Sequence, residues 1–343
     1  MSFPVVTRSL TRALFAGLAV LAPLAPATVR AQEAPGGTLV VLNKAENTAS
    51  LIDVASGRTL AKLPTGVGPH EVAMSSGGTR AAVANYGAQR GGRTLTIIDV
   101  ARGSVERTID LGSYGRPHGI AFLPGDSLLA VTSEASRNVV LVRVADGTVV
   151  GAVSTERPGS HMLAPIGDAT RIYTSNIPDH SVSELDMGSG RMSRIFEVPP
   201  QPEAIGVTRD GREVWVGSNA RGVVSVIDTE TGEVSEAAKG FGFPYRILFT
   251  PDERLVIVPD FRGNELRFID RATRTDVASL PLPSAGPMGL TLSADGRTLF
   301  LSLGLENRVA VIDLATREIL RTLEAGARPD GVGYSELVLA EGP

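Results

Sequence analysis

The chain has 343 residues, of which 43% are hydrophobic and 20% are charged, a composition typical of a globular protein rather than a disordered one. It contains no cysteine. This excludes disulfides, thiolate-bound zinc, iron–sulfur clusters, covalent c-type haem, cysteine nucleophiles and a lipidated N-terminal cysteine.

The first 31 residues follow the order of an export signal. Arg8 and Arg12 precede an apolar run over residues 14–25, which is too short and too rich in proline for a membrane span of about 20 residues. Small side chains at Val29 and Ala31 then mark a cleavage point before Gln32. We therefore predict a Sec-type signal peptide over 1–31. The mature protein is expected in a bacterial periplasm or outside the cell, with no membrane span.

Cleavage would change the charge balance. It removes three arginines and no acid, which leaves 30 basic against 37 acidic residues and a net charge of −7. Because such a surface repels phosphate backbones, we expect no nucleic-acid partner.

The mature chain is built from repeats. Similar segments open at seven points, and the second residues of these pairs are separated by 48, 43, 42, 42, 43 and 42 positions. The opening pairs are Pro69-His70, Pro117-His118, Ser160-His161, Pro202-Glu203, Pro244-Tyr245, Pro287-Met288 and Pro329-Asp330. A fixed period in the forties predicts a repeat architecture.

Each repeat contains four short strands, A to D, and the opening pair begins strand A. Residues 38–43, 49–54 and 59–63 are β-branched and aliphatic runs separated by polar turns, and they form strands B, C and D of the first cycle. Most C strands end in Asp, as at Asp53 and Asp99, and we interpret these carboxylates as acceptors for backbone N–H groups in the C–D turns.

Strand A is predicted to be the inner strand. Large apolar residues recur two and four positions after the opening column, whereas the positions between them are often Gly or Ala, as close packing around an axis requires. Seven radial four-stranded repeats form an all-β, seven-bladed β-propeller over 38–337, with a tail at 338–343. The C-terminal strand must join the N-terminal three strands to close the ring.

Three segments carry a family resemblance. Residues 226–234 read VIDTETGEV, residues 293–297 read SADGR, and strand B carries loose forms of one motif, such as AVAN at 82–85. The chain resembles the YVTN-repeat (YncE-like) seven-bladed β-propeller family. That resemblance implies the fold but no single function, because such propellers include binding scaffolds, surface proteins and domains of redox enzymes. A WD40 propeller is disfavoured, since Trp215 is not followed by Asp.

The opening column supplies the candidate site. In blade order it reads Asp330, His70, His118, His161, Glu203, Tyr245 and Met288. The fourth histidine, His180, lies in a B–C loop, and in a propeller these loops share one end with the openings of the A strands. We therefore predict a mouth at that end, lined by candidate ligand-binding residues: His70, His118, His161, His180, Glu203, Tyr245 and Asp330. A Gly-rich loop over 85–94 is predicted to form a flap beside it.

Imidazoles and carboxylates are suitable ligands for Zn, Cu, Ni or Fe, so a divalent transition metal is a candidate cofactor, with His70, His118 and His161 as its ligands. The alternative is that repeat duplication copied a structural histidine, each bonding a neighbouring backbone carbonyl. The sequence leaves both possibilities open.

No known catalytic motif is present: the chain has no Gly-x-Ser-x-Gly elbow and no P-loop. The sequence therefore favours an exported binding or scaffold module with a mouth lined by histidines and acids. The alternative is a metal-assisted lactonase or lyase that uses the same mouth. A platform for a protein partner is a third possibility, and the sequence does not identify a small-molecule or protein partner.

Overall fold

The computed structural model of the protein describes residues 1–5 and 35–339. The predicted signal-peptide cleavage after Ala31 lies outside these residues. The chain divides into a short unit, Met1–Glu33, and a large one, Ala34–Pro343, which contains every strand in the described part of the chain. No helix among the described residues is long and apolar enough to cross a membrane.

The described residues form 28 β-strands and one 3-10 helix, Ile177–Asp179. The strands are β1 (Thr38–Asn43), β2 (Thr48–Asp53), β3 (Thr59–Pro64), β4 (Pro69–Met74), β5 (Arg80–Gly87), β6 (Gly91–Asp99), β7 (Ser104–Asp110), β8 (Pro117–Phe122), β9 (Leu128–Ser133), β10 (Asn138–Arg143), β11 (Val149–Ser154), β12 (Ser160–Pro165), β13 (Arg171–Asn176), β14 (Ser181–Asp186), β15 (Arg191–Glu197), β16 (Pro202–Val207), β17 (Glu213–Ser218), β18 (Val223–Asp228), β19 (Val234–Lys239), β20 (Leu248–Phe249), β21 (Leu255–Asp260), β22 (Glu265–Asp270), β23 (Thr275–Pro281), β24 (Pro287–Leu292), β25 (Thr298–Leu303), β26 (Arg308–Asp313), β27 (Ile319–Glu324) and β28 (Pro329–Ser335).

These strands form seven antiparallel sheets of four strands each, which confirms the seven-bladed β-propeller. Blade 1 has the order β28-β1-β2-β3, and blades 2 to 7 take the remaining strands four at a time in chain order, from β4–β7 to β24–β27. The C-terminal β28 therefore completes the sheet begun by β1, as the sequence predicts.

The closing strand is held by its ladder and by its side chains. Antiparallel pairing places Val332 opposite Val41 and Tyr334 opposite Leu39. Val332 belongs to an apolar cluster shared by blades 1 and 7, and the ring of Tyr334 stacks on Phe300 of blade 7 with centroids 5.4 Å apart. This packing joins the last strand of the propeller to the first and completes blade 1 as a four-stranded sheet.

The inner strands approach one another closely where the sequence places glycine. A Cβ on Gly119 would lie 2.6 Å from the backbone nitrogen of Leu163, and one on Gly289 would lie 2.4 Å from the carbonyl oxygen of Asp330. The position after the opening column is therefore small in most blades because the neighbouring backbone occupies the space.

The Asp residues at the ends of the C strands have the predicted structural role. Asp53 accepts the backbone N–H of Ser56 at 2.7 Å, and Asp186 accepts those of Gly188 and Ser189 at 2.8 and 2.9 Å. The carboxylates thus fix the C–D turns.

Candidate functional site

The structure brings three of the four histidines together at the mouth. The ring centroids of His70 and His118 are 4.8 Å apart, and those of His118 and His161 are 3.6 Å apart. We call these three side chains the histidine row. It arises because each histidine opens the inner strand of one of three consecutive blades.

His161, at one end of the row, lies between two carboxylates. Its Nδ1 is hydrogen-bonded to Oε1 of Glu134, and its Nε2 is 3.6 Å from Oε1 of Glu203. Burial alone lowers the pKa of His161, but the hydrogen bonds to the two glutamates outweigh it and raise the pKa to about 9. His161 is therefore an imidazolium at neutral pH, with both nitrogens directed at acids.

His118, in the middle, has the opposite character. Its side chain is buried, with 1% of the residue exposed, and its Nδ1 has no hydrogen-bond partner among the described residues. Burial, and after it the neighbouring His161 and His70, hold the pKa of His118 well below its usual value. The ring is therefore neutral, and within residues 1–5 and 35–339 no group is hydrogen-bonded to its buried Nδ1.

His70, at the other end, is oriented by Asp330. The His70 Nδ1 is 3.0 Å from Oδ2 of Asp330, and that carboxylate is also 3.4 Å from Nζ of Lys44. The Tyr245 hydroxyl donates to the other oxygen, Oδ1, at 2.9 Å. Burial alone raises the pKa of Asp330, but the nearby His70 and Lys44 more than offset it, so the carboxyl is ionised.

A buried ion pair joins blades 6 and 2. Arg246 of blade 6 donates through Nη2 to Oε1 of Glu71 of blade 2, and its Nη1 is 3.7 Å from Oε1 of Glu203. The guanidinium also lies 4.1 Å from the ring centroid of Tyr245. A cavity of about 100 Å³ lies beside this pair, and the apolar residues of the inner strands complete its walls. Both charged side chains therefore line a cavity between the inner strands.

The inner strand of blade 6, which should contain Arg246, is irregular. The sequence predicts strand A of blade 6 from Pro244, but β20 covers only Leu248–Phe249, and Pro244 makes a single isolated bridge to Asp260. Most other blades have Gly or Ala at the position of Arg246. Glu71 and Met162 hold the same position in the regular strands β4 and β12, so the length of the side chain alone does not account for the irregularity.

His180, the fourth histidine, is not part of the histidine row. It follows the 3-10 helix with a left-handed φ of 57°, and its side chain is exposed. Its Nδ1 lies 3.1 Å from the carbonyl of Ile177 and 3.2 Å from the amide nitrogen of Gln201. The backbone around it therefore holds the ring, which is the structural alternative that the sequence left open.

The Gly-rich segment 85–94 is a hairpin rather than a loop. Strands β5 and β6 continue through it until Gly87 pairs with Gly91. Tyr86 on this hairpin places its ring 5.2 Å from His70 and 5.3 Å from His118, and its hydroxyl donates to Oε2 of Glu134 at 2.7 Å. The hairpin thus forms one wall of the mouth.

Three donors lie close enough together to suggest a metal site. One ligand atom from each of His70, Glu71 and His118 falls within 4.8 Å of the other two. This group differs from the predicted three histidines in one member, because both nitrogens of His161 face glutamates.

Glu71 and Arg246 are the site residues that sequence reasoning missed. Both occupy the position directly after the opening column, where four other blades have Gly119, Ala204, Gly289 and Gly331. The sequence signal that could have identified them is the presence of two charged side chains in a column of mostly small residues.

Comparison with known proteins places the chain among propellers. No protein-family profile matches it. It is 25% identical over 226 residues to the uncharacterized protein YncE of Salmonella typhimurium, an alignment that covers 61% of this chain and 62% of that protein. It is 28% identical over 153 residues to the seven-bladed β-propeller protein Rv1057 of Mycobacterium tuberculosis, covering 42% of this chain and 39% of that one. The chain thus matches less than two thirds of the length of these relatives.

Among solved structures, a chain of hydrazine synthase from Kuenenia stuttgartiensis superposes with a TM-score of 0.70. The match is 18% identical and covers 85% of this chain and 99% of that one, so it supports the fold alone. With the sheet topology and the curated relatives, it leads to one assignment: the chain is a YncE-like seven-bladed β-propeller.

Proposed function

We propose that this chain is an exported binding module whose mouth holds a small ligand or ion. The observation that carries the proposal is the unpaired Nδ1 of His118. A buried polar atom without a partner is costly and calls for an explanation, and at a mouth lined by other polar groups a bound ligand or ion supplies one. Export rests on the N-terminal sequence, where residues 1–31 have the order of a signal peptide.

The surrounding charges support a polar ligand. Lys44, His161 and Arg246 supply positive charge, and Glu71, Glu134, Glu203 and Asp330 supply negative charge. Such convergent polar groups, fixed by mutual hydrogen bonds, are typical of a preorganised binding site.

Protein recovered after native export provides the test. Native mass spectrometry of the secreted wild-type protein should show a bound small molecule or ion, and N-terminal sequencing should begin at Gln32. The same measurement on His118→Leu should show the unliganded mass, whereas His180→Ala, which changes an exposed histidine outside the row, should retain the ligand. An unliganded wild-type protein that also binds nothing from a panel of metal ions, carboxylates and amines would contradict the proposal.

A metal-assisted lactonase or lyase is the second candidate. It is favoured by the donor set, because two histidines and one glutamate are also the protein ligands of some catalytic zinc sites. Hydrolysis of γ- and δ-lactones by Zn²⁺-loaded wild-type protein, lost in His118→Leu, would support the enzyme. Binding of Zn²⁺ without hydrolysis of any lactone would support the binding module instead of the enzyme.

A further inference from the structure

We propose that the mouth binds a divalent transition metal ion of the Zn²⁺ or Ni²⁺ type through His70, Glu71 and His118. This inference rests on the proposed function and specifies its ligand. Two imidazoles and one carboxylate are donors that suit these ions.

The spacing of the donors fits an ion after a small closure. Their ligand atoms lie within 4.8 Å of one another. In tetrahedral zinc sites with bonds of about 2.0–2.2 Å, ligand atoms are roughly 3.4 Å apart. Side-chain movements on the order of 1 Å therefore bring the three atoms into coordination distance, which rotation of the rings and of the carboxylate can supply.

The groups around the ligands are those of a metal site. Asp330 contacts Nδ1 of His70 at 3.0 Å, which leaves Nε2 for the ion and reproduces the carboxylate–histidine–metal arrangement. Asp330 is itself fixed, because the Tyr245 hydroxyl donates to its other oxygen at 2.9 Å. Arg246 donates to Oε1 of Glu71, so Oε2 is the oxygen left for coordination.

His118 provides the independent observation. Only 1% of it is exposed, and its Nδ1 has no partner in the described part of the chain. A metal bond would satisfy this atom. His161 does not compete for the ion, since Glu134 and Glu203 face both of its nitrogens. It instead lies against His118, with the ring centroids 3.6 Å apart and the ring planes inclined by 31°.

Charge also favours a cation. Among the side chains of the mouth, the four carboxylates of Glu71, Glu134, Glu203 and Asp330 face three cationic groups, those of Lys44, His161 and Arg246. Together these groups carry one net negative charge, which a bound cation would offset. Three protein ligands also leave a coordination position for water or for an oxygen atom of a second ligand.

Titration calorimetry of chelator-treated protein with Zn²⁺ tests the inference. The wild type should bind one ion per chain, and His118→Leu and the isosteric Glu71→Gln should each lose binding. His180→Ala is the matched control and should bind like the wild type. Asp330→Asn, a change at a positioning residue, should weaken Zn²⁺ binding about 10- to 100-fold. It should also shift the visible absorption of the Co²⁺-loaded protein, which a purely structural effect would not do.

Three results would overturn the inference: no Zn²⁺ or Ni²⁺ binding by the wild type, unchanged binding by a folded Glu71→Gln, or loss of binding in His180→Ala. Circular dichroism of each variant identifies those that fold. If the wild type binds no metal ion but native mass spectrometry finds an organic molecule that His118→Leu loses, the metal inference fails and the proposed function stands. If neither is bound, both fail.

Discussion

The imidazolium of His161 should make stability depend on pH. The pKa of His161 is about 9 in the folded protein, against an ordinary value of 6.5. The folded state therefore holds this proton more tightly than the unfolded state. The resulting stabilisation is fully present below pH 6.5 and is lost as the pH rises through about 9. At 1.36 kcal/mol per pKa unit, it amounts to ~3 kcal/mol, a substantial part of the 5–15 kcal/mol typical of a domain.

His161→Gln is the variant that isolates this effect. It removes the titrating group, and Glu134 and Glu203 then lose the cation between them. Urea unfolding of metal-free protein from pH 6 to 10 should show the wild type more stable by ~3 kcal/mol at pH 6.5, with the difference vanishing toward pH 10. Two curves that stay parallel over this range would refute a charged His161 as the cause.

Three further outcomes follow from the fold and the site. Deleting residues 329–343 removes the strand that closes the ring. The truncated protein should aggregate, which size-exclusion chromatography would detect. Cooperative unfolding of the truncated protein at the wild-type melting temperature would contradict ring closure. His118→Leu removes a buried nitrogen that has no partner among the described residues. In urea titrations of metal-free protein it should raise the unfolding free energy by ~1–3 kcal/mol, whereas a large decrease in that free energy would indicate a structural histidine. Arg246→Met leaves Glu71 buried without its cation and should lower the unfolding free energy by ~3–5 kcal/mol. Adding Glu71→Gln should recover much of this loss. A double variant that is no more stable than Arg246→Met would show that the ion pair is not the cause.

The fold was predictable because its determinants are local and repeated. The spacing of the seven openings fixes the number of blades, and the position of the first opening after three strands requires β28 to pair with β1. The proximity of His70, His118 and His161 follows from the same register, since equivalent positions on consecutive blades are neighbours around the axis.

The remainder of the site depends on features that the period does not encode. The Arg246–Glu71 contact joins residues of blades 6 and 2 across the channel, and no repeat distance indicates that two side chains from such separated blades meet. Similarly, His180 itself adopts a left-handed φ after the 3-10 helix, and the backbone at Ile177 and Gln201 holds its ring, which its place in the B–C loop does not indicate. These parts of the site depend on contacts between distant blades and on local backbone conformation. The position of a residue within its repeat reveals neither.

Anomalous diffraction at the zinc absorption edge, from crystals grown with Zn²⁺, tests the central claim most directly. The account predicts one strong peak at the mouth, within about 2.0–2.2 Å of a nitrogen of His70, a nitrogen of His118 and an oxygen of Glu71. A mouth without a peak, or zinc held only at the exposed His180, would contradict it.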